Sequence, residues 1–236
     1  MSNGRSRKQG LRGRNLAPIF IGNSTTTLPI SRKVVTYRTK RVVGYFQSGK
    51  MQCALPWESQ IERDYFYCLE FDPYVATFIA QPTCFNLLVD GQPRKHFPDL
   101  LVQYVDGSRA FHEVKPDRDA LAQEKQPLYE AARRHCAIIE TSYHVIAESH
   151  IRQQPRLRNC QTLLHYRRRL VSLDDELAIV SALFAGPVAF ETLRHVLDEK
   201  PDVDAVILCL AATGKICFPL DTELTGQTAF HLARNQ

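Results

Sequence analysis

The sequence has no acidic residue in its first fifty positions, no paired cysteines and no long apolar run. Its seven cysteines, at positions 53, 68, 84, 136, 160, 209 and 217, form no CxxC pair and no Cys/His cluster with zinc spacing. Their number is odd, which argues against a disulfide framework or a structural zinc and for reduced thiols in a core. The longest apolar run, Ala205 to Ala212, is far shorter than a bilayer requires, and no basic-then-apolar leader opens the chain. A cytoplasmic protein without a membrane segment is expected. No internal repeat is visible.

The missing acids matter more than the net charge of +5. The first fifty residues carry eleven Lys and Arg and no Asp or Glu, leaving 19 basic against 25 acidic residues in the remainder. A one-signed arm suits phosphate contacts and counterion release from nucleic acid. Within it, Arg32, Lys33, Arg38, Lys40 and Arg41 alternate with Val34, Val35, Tyr37, Val42, Val43, Tyr45 and Phe46. This extended basic stretch is expected to lie along a DNA backbone, with Lys50 just beyond it as a further phosphate contact. A basic edge strand protected by its charges would have the same pattern.

Past the arm the pattern is that of a folded α/β protein. A helix is expected to open at Leu55-Pro56-Trp57, with Trp57, Ile61, Tyr65, Cys68 and Leu69 inward, and to stop at Asp72-Pro73. Val75 to Ile79 and Cys84 to Val89 read as strands, Asp119 to Cys136 as a helix with Leu121, Leu128 and Ala132 inward, and Tyr143 to Ala147 as another strand. After a linker at Gln153-Gln154-Pro155 come four helical patterns, Gln161 to Val171, Asp174 to Leu183, Phe190 to Leu197 and Val203 to Ala212, and a short strand at Lys215 to Pro219. The expected architecture is α/β, a mixed sheet flanked by helices (48–152), preceded by the arm (1–47) and followed by a small helical, winged-helix-like unit (153–236).

The chemistry concentrates between Pro98 and Lys115. Asp106-Gly107 separates two runs rich in apolar and β-branched residues, a strong hairpin signal. Asp99 begins one strand, and Glu113-Val114-Lys115 ends the other with Glu113 and Lys115 on one face. Phosphodiester hydrolysis needs a cation to activate water and neutralise developing charge, and carboxylates from different elements can hold it. Asp99, Glu113 and the Val114 carbonyl are expected to ligate Mg2+, with Mn2+ as a substitute, while Lys115 orients the water. The nearby helix is expected to complete the shell through Glu62, or failing that Glu58. His96 and His112 flank the motif strands in structural or DNA-facing roles, with His112 pointing away from Glu113.

These residues resemble the PD-(D/E)XK nucleases, which implies a restriction-endonuclease-like sheet. The ordered set Ser48-Gly49-Lys50-Met51, Glu58 to Asp64, Leu69 to Pro73, Gln81-Pro82, Pro98-Asp99 and Glu113 to Pro116 is similar to the TnsA family, endonuclease subunits of heteromeric bacterial transposases. The resemblance implies cutting of the 5′ strand at transposon ends, beside a DDE-type transposase that cuts and joins the 3′ ends. It also implies an AAA+ ATPase regulator that contacts the C-terminal unit. It puts catalytic roles on Glu62, Asp99, Glu113 and Lys115. Two alternatives are a stand-alone restriction or repair nuclease and a non-catalytic DNA-binding adaptor.

Overall fold

A computed structural model describes residues 17–21, 24–28, 42–197 and 201–233. The basic residues Arg32, Lys33, Arg38, Lys40 and Arg41 lie outside the described residues. Strands β1 (Ala17–Ile21) and β2 (Ser24–Leu28) pair antiparallel, as do β3 (Gly44–Ser48) and β4 (Cys53–Trp57).

The expected helix start at Leu55 is corrected here. Leu55-Pro56-Trp57 finishes β4, where a two-stranded ribbon tolerates a proline that cannot donate. Trp57 is buried from this strand, and its ring leaves no room for a side chain on its register partner: a Cβ at Gly44 would stand 2.5 Å from the indole. Helix α1 (Gln60–Phe71) begins instead after Ser59, whose hydroxyl accepts the Glu62 N–H at 3.2 Å. It buries Tyr65, Phe66, Cys68 and Leu69.

The central sheet contains β5 (Val75–Ala80), β8 (Leu100–Tyr104), β9 (Arg109–Lys115) and β10 (Ser142–Ala147), in the order β10-β9-β8-β5. β5–β8 and β8–β9 are antiparallel and β9–β10 is parallel, so the sheet is mixed. Between β5 and β8 the chain makes a separate ribbon, β6 (Phe85–Val89) and β7 (Gln92–His96), turned at Asp90-Gly91 with both residues at positive φ. β7 was not foreseen, because four of its five residues are exposed and carry no apolar alternation.

The parallel crossover from β9 to β10 is not one long helix. It comprises α2 (Asp117–Ala120), a 3-10 turn at Gln123–Lys125 and α3 (Gln126–Ile138). Pro127 lies in the first turn of α3; in a continuous helix its ring would meet the carbonyl of Gln123. Leu121, expected inward, falls in the gap and is 77% exposed. One core lies on the α1 side of the sheet and includes Phe66, Phe78, Leu100, Val102 and Val114. The other lies under α3 and the ribbon, with Phe85, Phe111, Tyr129, Ala132, Cys136 and Tyr143.

The chain continues through α4 (Glu148–Ile151) into α5 (Arg156–Tyr166), which starts immediately after Gln153-Gln154-Pro155 and earlier than expected. This helix is a strut more than a tether. Leu157 belongs to the sheet core and Leu163 to the C-terminal core. The C-terminal region runs α6 (Leu173–Ala182), β11 (Val188–Ala189), α7 (Phe190–Val196), α8 (Val203–Ala212), β12 (Ile216–Cys217) and β13 (Ala229–Leu232). Its strands form an antiparallel sheet ordered β11-β13-β12. Helix, strand, two helices and two strands give the winged-helix outline. All seven cysteines are free, and no helix of the described residues is long and apolar enough to cross a membrane.

Candidate active site

The β8–β9 hairpin sets the geometry. Gly107 takes φ +84, its N–H donates to the Tyr104 carbonyl at 3.0 Å, and Asp106 Oδ1 accepts from the Ser108 N–H and hydroxyl at 2.9 and 2.6 Å. This turn sets the register Leu100↔His112, which brings Asp99 opposite Glu113 at the far end of the hairpin.

Asp99 Oδ2 accepts the Val114 N–H at 2.7 Å and the Lys115 ammonium at 3.3 Å. Lys115 also meets Glu113 Oε1 at 2.6 Å. The other Glu113 oxygen, Oε2, is buried and accepts no hydrogen bond among the described residues; its nearest cationic or imidazole neighbour is His96 Nε2 at 3.5 Å. The sequence thus identified three groups that do converge: Asp99, Glu113 and Lys115.

Glu62 is placed in a double role. It is the third residue of α1 and folds its carboxylate back on the helix start. Oε2 accepts the Glu58 N–H and Oε1 the Ser59 hydroxyl, each at 2.9 Å, a variant of the capping box. Its charge is nonetheless felt in the cluster. Burial, then the Asp99 charge, pushes Glu62 up to about 7. Burial, then Glu113, pushes Asp99 up to about 7 against the pull of Lys115. Glu113 is raised chiefly by burial, with Glu62 adding to it. For Lys115, burial acts downward, yet Asp99 and Glu113 outweigh it and the ammonium is held more firmly than usual.

Two carboxylates that resist ionisation around one ammonium, with Glu62 as a third negative neighbour, form a charge-frustrated site. Among the described residues, however, no group of three or more His, Cys, Asp or Glu side chains converges as a ready ligand set for a metal ion. Two observations account for this. The Lys115 ammonium sits between Asp99 and Glu113, and Glu62 is engaged by its own helix start.

The expected phosphate contact at Lys50 is corrected. Its ammonium donates to the carbonyls of Leu69, Asp72 and Val75 at 2.9, 2.8 and 2.7 Å. Two of these bonds close the end of α1 and the third ties it to the start of β5, and burial pulls the amine down to about 8. Val114 contributes its N–H to Asp99 and its side chain to the α1-side core.

His112 points away from Glu113, as expected: Nδ1 meets the Tyr65 hydroxyl at 2.7 Å and Nε2 the Tyr104 hydroxyl at 3.3 Å. What the sequence did not reveal is that His96, hydrogen-bonded to Tyr143 at 2.9 Å, stands 3.5 Å from Glu113. The one trace of this was a histidine three residues before Asp99, ending a strand that is otherwise polar and exposed.

The mixed sheet thus gathers an aspartate, a glutamate and a lysine at one end of a hairpin. Residues 72–148 match the family model described as TnsA-like endonuclease N terminal. The match runs from the end of α1 through β10 into the first residue of α4; it contains Asp99, Glu113 and Lys115 and leaves out Glu62 and the C-terminal region. No curated protein matches the chain.

Proposed function

We propose that the chain is a divalent-cation-dependent DNA endonuclease that cuts the 5′ strand at transposon ends. It would act with a DDE-type transposase and an AAA+ ATPase regulator that docks on the C-terminal winged-helix-like unit. The observation that carries the hydrolase reading is the Asp99–Lys115–Glu113 cluster on two paired strands, inside the segment that resembles a TnsA-like endonuclease.

The residues fit a hard cation by their chemistry. Glu62, Asp99 and Glu113 are oxygen donors whose proton affinity is raised first by burial and then by one another's charge, and Glu113 Oε2 is a buried acceptor with no hydrogen-bond partner among the described residues. These three carboxylates and the Val114 carbonyl would hold Mg2+ or Mn2+. Once bound, the ion would lower the pKa of water and neutralise charge on the phosphate.

The chain's own residues then have separable tasks. Lys115, held charged by its neighbours, stands where it can orient a water and stabilise negative charge on a phosphate oxygen. The Val114 N–H fixes one oxygen of Asp99 and leaves the other available. Glu62 caps the start of α1 through the Glu58 N–H and the Ser59 hydroxyl, so that a change at the helix start moves this carboxylate.

The test is a reconstitution of purified chain, partner transposase, regulator and end DNA, with strand-specific detection of nicks. Asp99→Ala and Lys115→Ala should abolish 5′-strand cutting while 3′-strand cutting persists; normal 5′ cutting by either would overturn the proposal. Cleavage of plain duplex without any partner would favour the stand-alone nuclease.

A further inference from the structure

Glu113 Oε2 has a neighbour that the nuclease motif does not supply. His96 Nε2 lies 3.5 Å from it and 2.9 Å from the Tyr143 hydroxyl, and His96, Glu113 and Tyr143 are all almost fully buried. They come from three elements. His96 ends the β6–β7 ribbon, Glu113 is on β9, and Tyr143 is on the parallel neighbour β10.

Packing alone does not explain a histidine here. Phe85, Leu87 and Val89 already seat the ribbon on the core. A buried imidazole costs desolvation that an apolar side chain would avoid, so its polar atoms are expected to have work. Its ring nitrogen faces two oxygens at once.

The tautomer follows from that geometry. A bare Nε2 would aim a lone pair at the Glu113 carboxylate. An Nε2–H donates to the Tyr143 oxygen, which holds the ring in place, and keeps its positive edge toward Glu113.

We propose that His96 is a positioning residue for Glu113, itself held in place by Tyr143: its ring N–H edge fixes the orientation in which this carboxylate meets the cation. The inference rests on the metal-dependent reading above. Such polar partners orient metal-binding carboxylates, and their loss costs roughly 10- to 100-fold in metal affinity.

The measurement is Mn2+ binding by the full-length chain, followed by electron paramagnetic resonance, with thermal unfolding as the fold control. His96→Ala should weaken Mn2+ binding at least about 10-fold, His96→Gln should recover most of the loss, and Tyr143→Phe should fall between. A purely structural histidine would lower the melting temperature in both His96 variants without separating their affinities. Wild-type affinity in His96→Ala overturns the inference. A wild-type chain that binds no Mn2+ overturns the nuclease reading, and the inference with it. Should His96→Ala fail to fold, the imidazole 15N spectrum of the wild type decides: an Nε2–H tautomer supports the inference, and an Nδ1–H tautomer contradicts it.

Discussion

Strand β9 carries buried polar groups on both faces, and the two faces are resolved differently. On the α1 side, His112 engages a tyrosine hydroxyl at each ring nitrogen, and burial, then His144, pulls it down to about 4, so it stays neutral. On the α3 side, Glu113 shares one ammonium with Asp99, leaves an oxygen without a hydrogen bond and is pushed toward its protonated form. A third buried polar group sharpens the contrast. Glu70 accepts from the Ser48 hydroxyl, the N–H groups of Gly49 and Lys50, and Arg167, and so locks β3, α1 and α5 together. Satisfied polar groups hold the fold, whereas frustrated ones mark the place that awaits a ligand.

The comparison can be broken most forcefully at Lys115. Lys115→Ala should abolish strand cutting and should also destabilise the chain, because two buried carboxylates lose their shared ammonium; a loss of roughly 2–4 kcal/mol in urea unfolding is expected. His112→Ala should do the reverse. It strands the Tyr65 and Tyr104 hydroxyls, costs about 2–3 kcal/mol and leaves cutting per folded molecule unchanged. A His112 variant that folds but no longer cuts would erase the distinction between the faces.

The pH dependence has a definite sign. Glu62 and Asp99, raised to about 7 in the folded chain, contribute stability that is present below about pH 4 and lost as pH rises through about 7. His96 and His112, lowered to about 4, contribute stability present above about pH 6.5 and lost as pH falls through about 4. The two effects oppose each other below pH 6.5. Between about pH 6.5 and 8 the carboxylates lower the stability of the metal-free chain as pH rises, partly offset by the two histidines completing their titration in the unfolded chain and by Lys50, which loses its proton near pH 8 in the folded one. Asp99→Asn should flatten that slope, as measured by unfolding across this window. The smallest effect is at Ser59: Ser59→Ala removes the α1 cap at a cost of about 1 kcal/mol.

Legibility in the sequence followed the local signals. Asp106-Gly107 between β-branched runs announced the hairpin, and with it the meeting of Asp99, Glu113 and Lys115. The start of α1 was misjudged because Pro56 looked like a first-turn proline, while the true signal was Ser59 followed three residues later by Glu62. The same pair shows why a site residue can be located and its second task missed: a glutamate at that offset caps its helix whether or not it serves chemistry. Pro127 carried the break in the long helix. Strands β7 and β11 left little trace, since an exposed or two-residue segment has no periodicity to read, and β13 alternates over only four residues. The approach of His96 to Tyr143 and Glu113 depends on three elements far apart in sequence, and only the register of β9 against β10 with the ribbon above them brings it about.

On the Glu113 face of β9, with Asp99 across the hairpin, we propose that frustrated carboxylates are relieved by a divalent cation. The most direct test is urea unfolding of the full chain at pH 8 across a Mg2+ series, for wild type and Asp99→Asn. The account predicts that the wild-type midpoint climbs with Mg2+ concentration, while Asp99→Asn starts higher and stays flat. A wild-type midpoint indifferent to Mg2+ would contradict it.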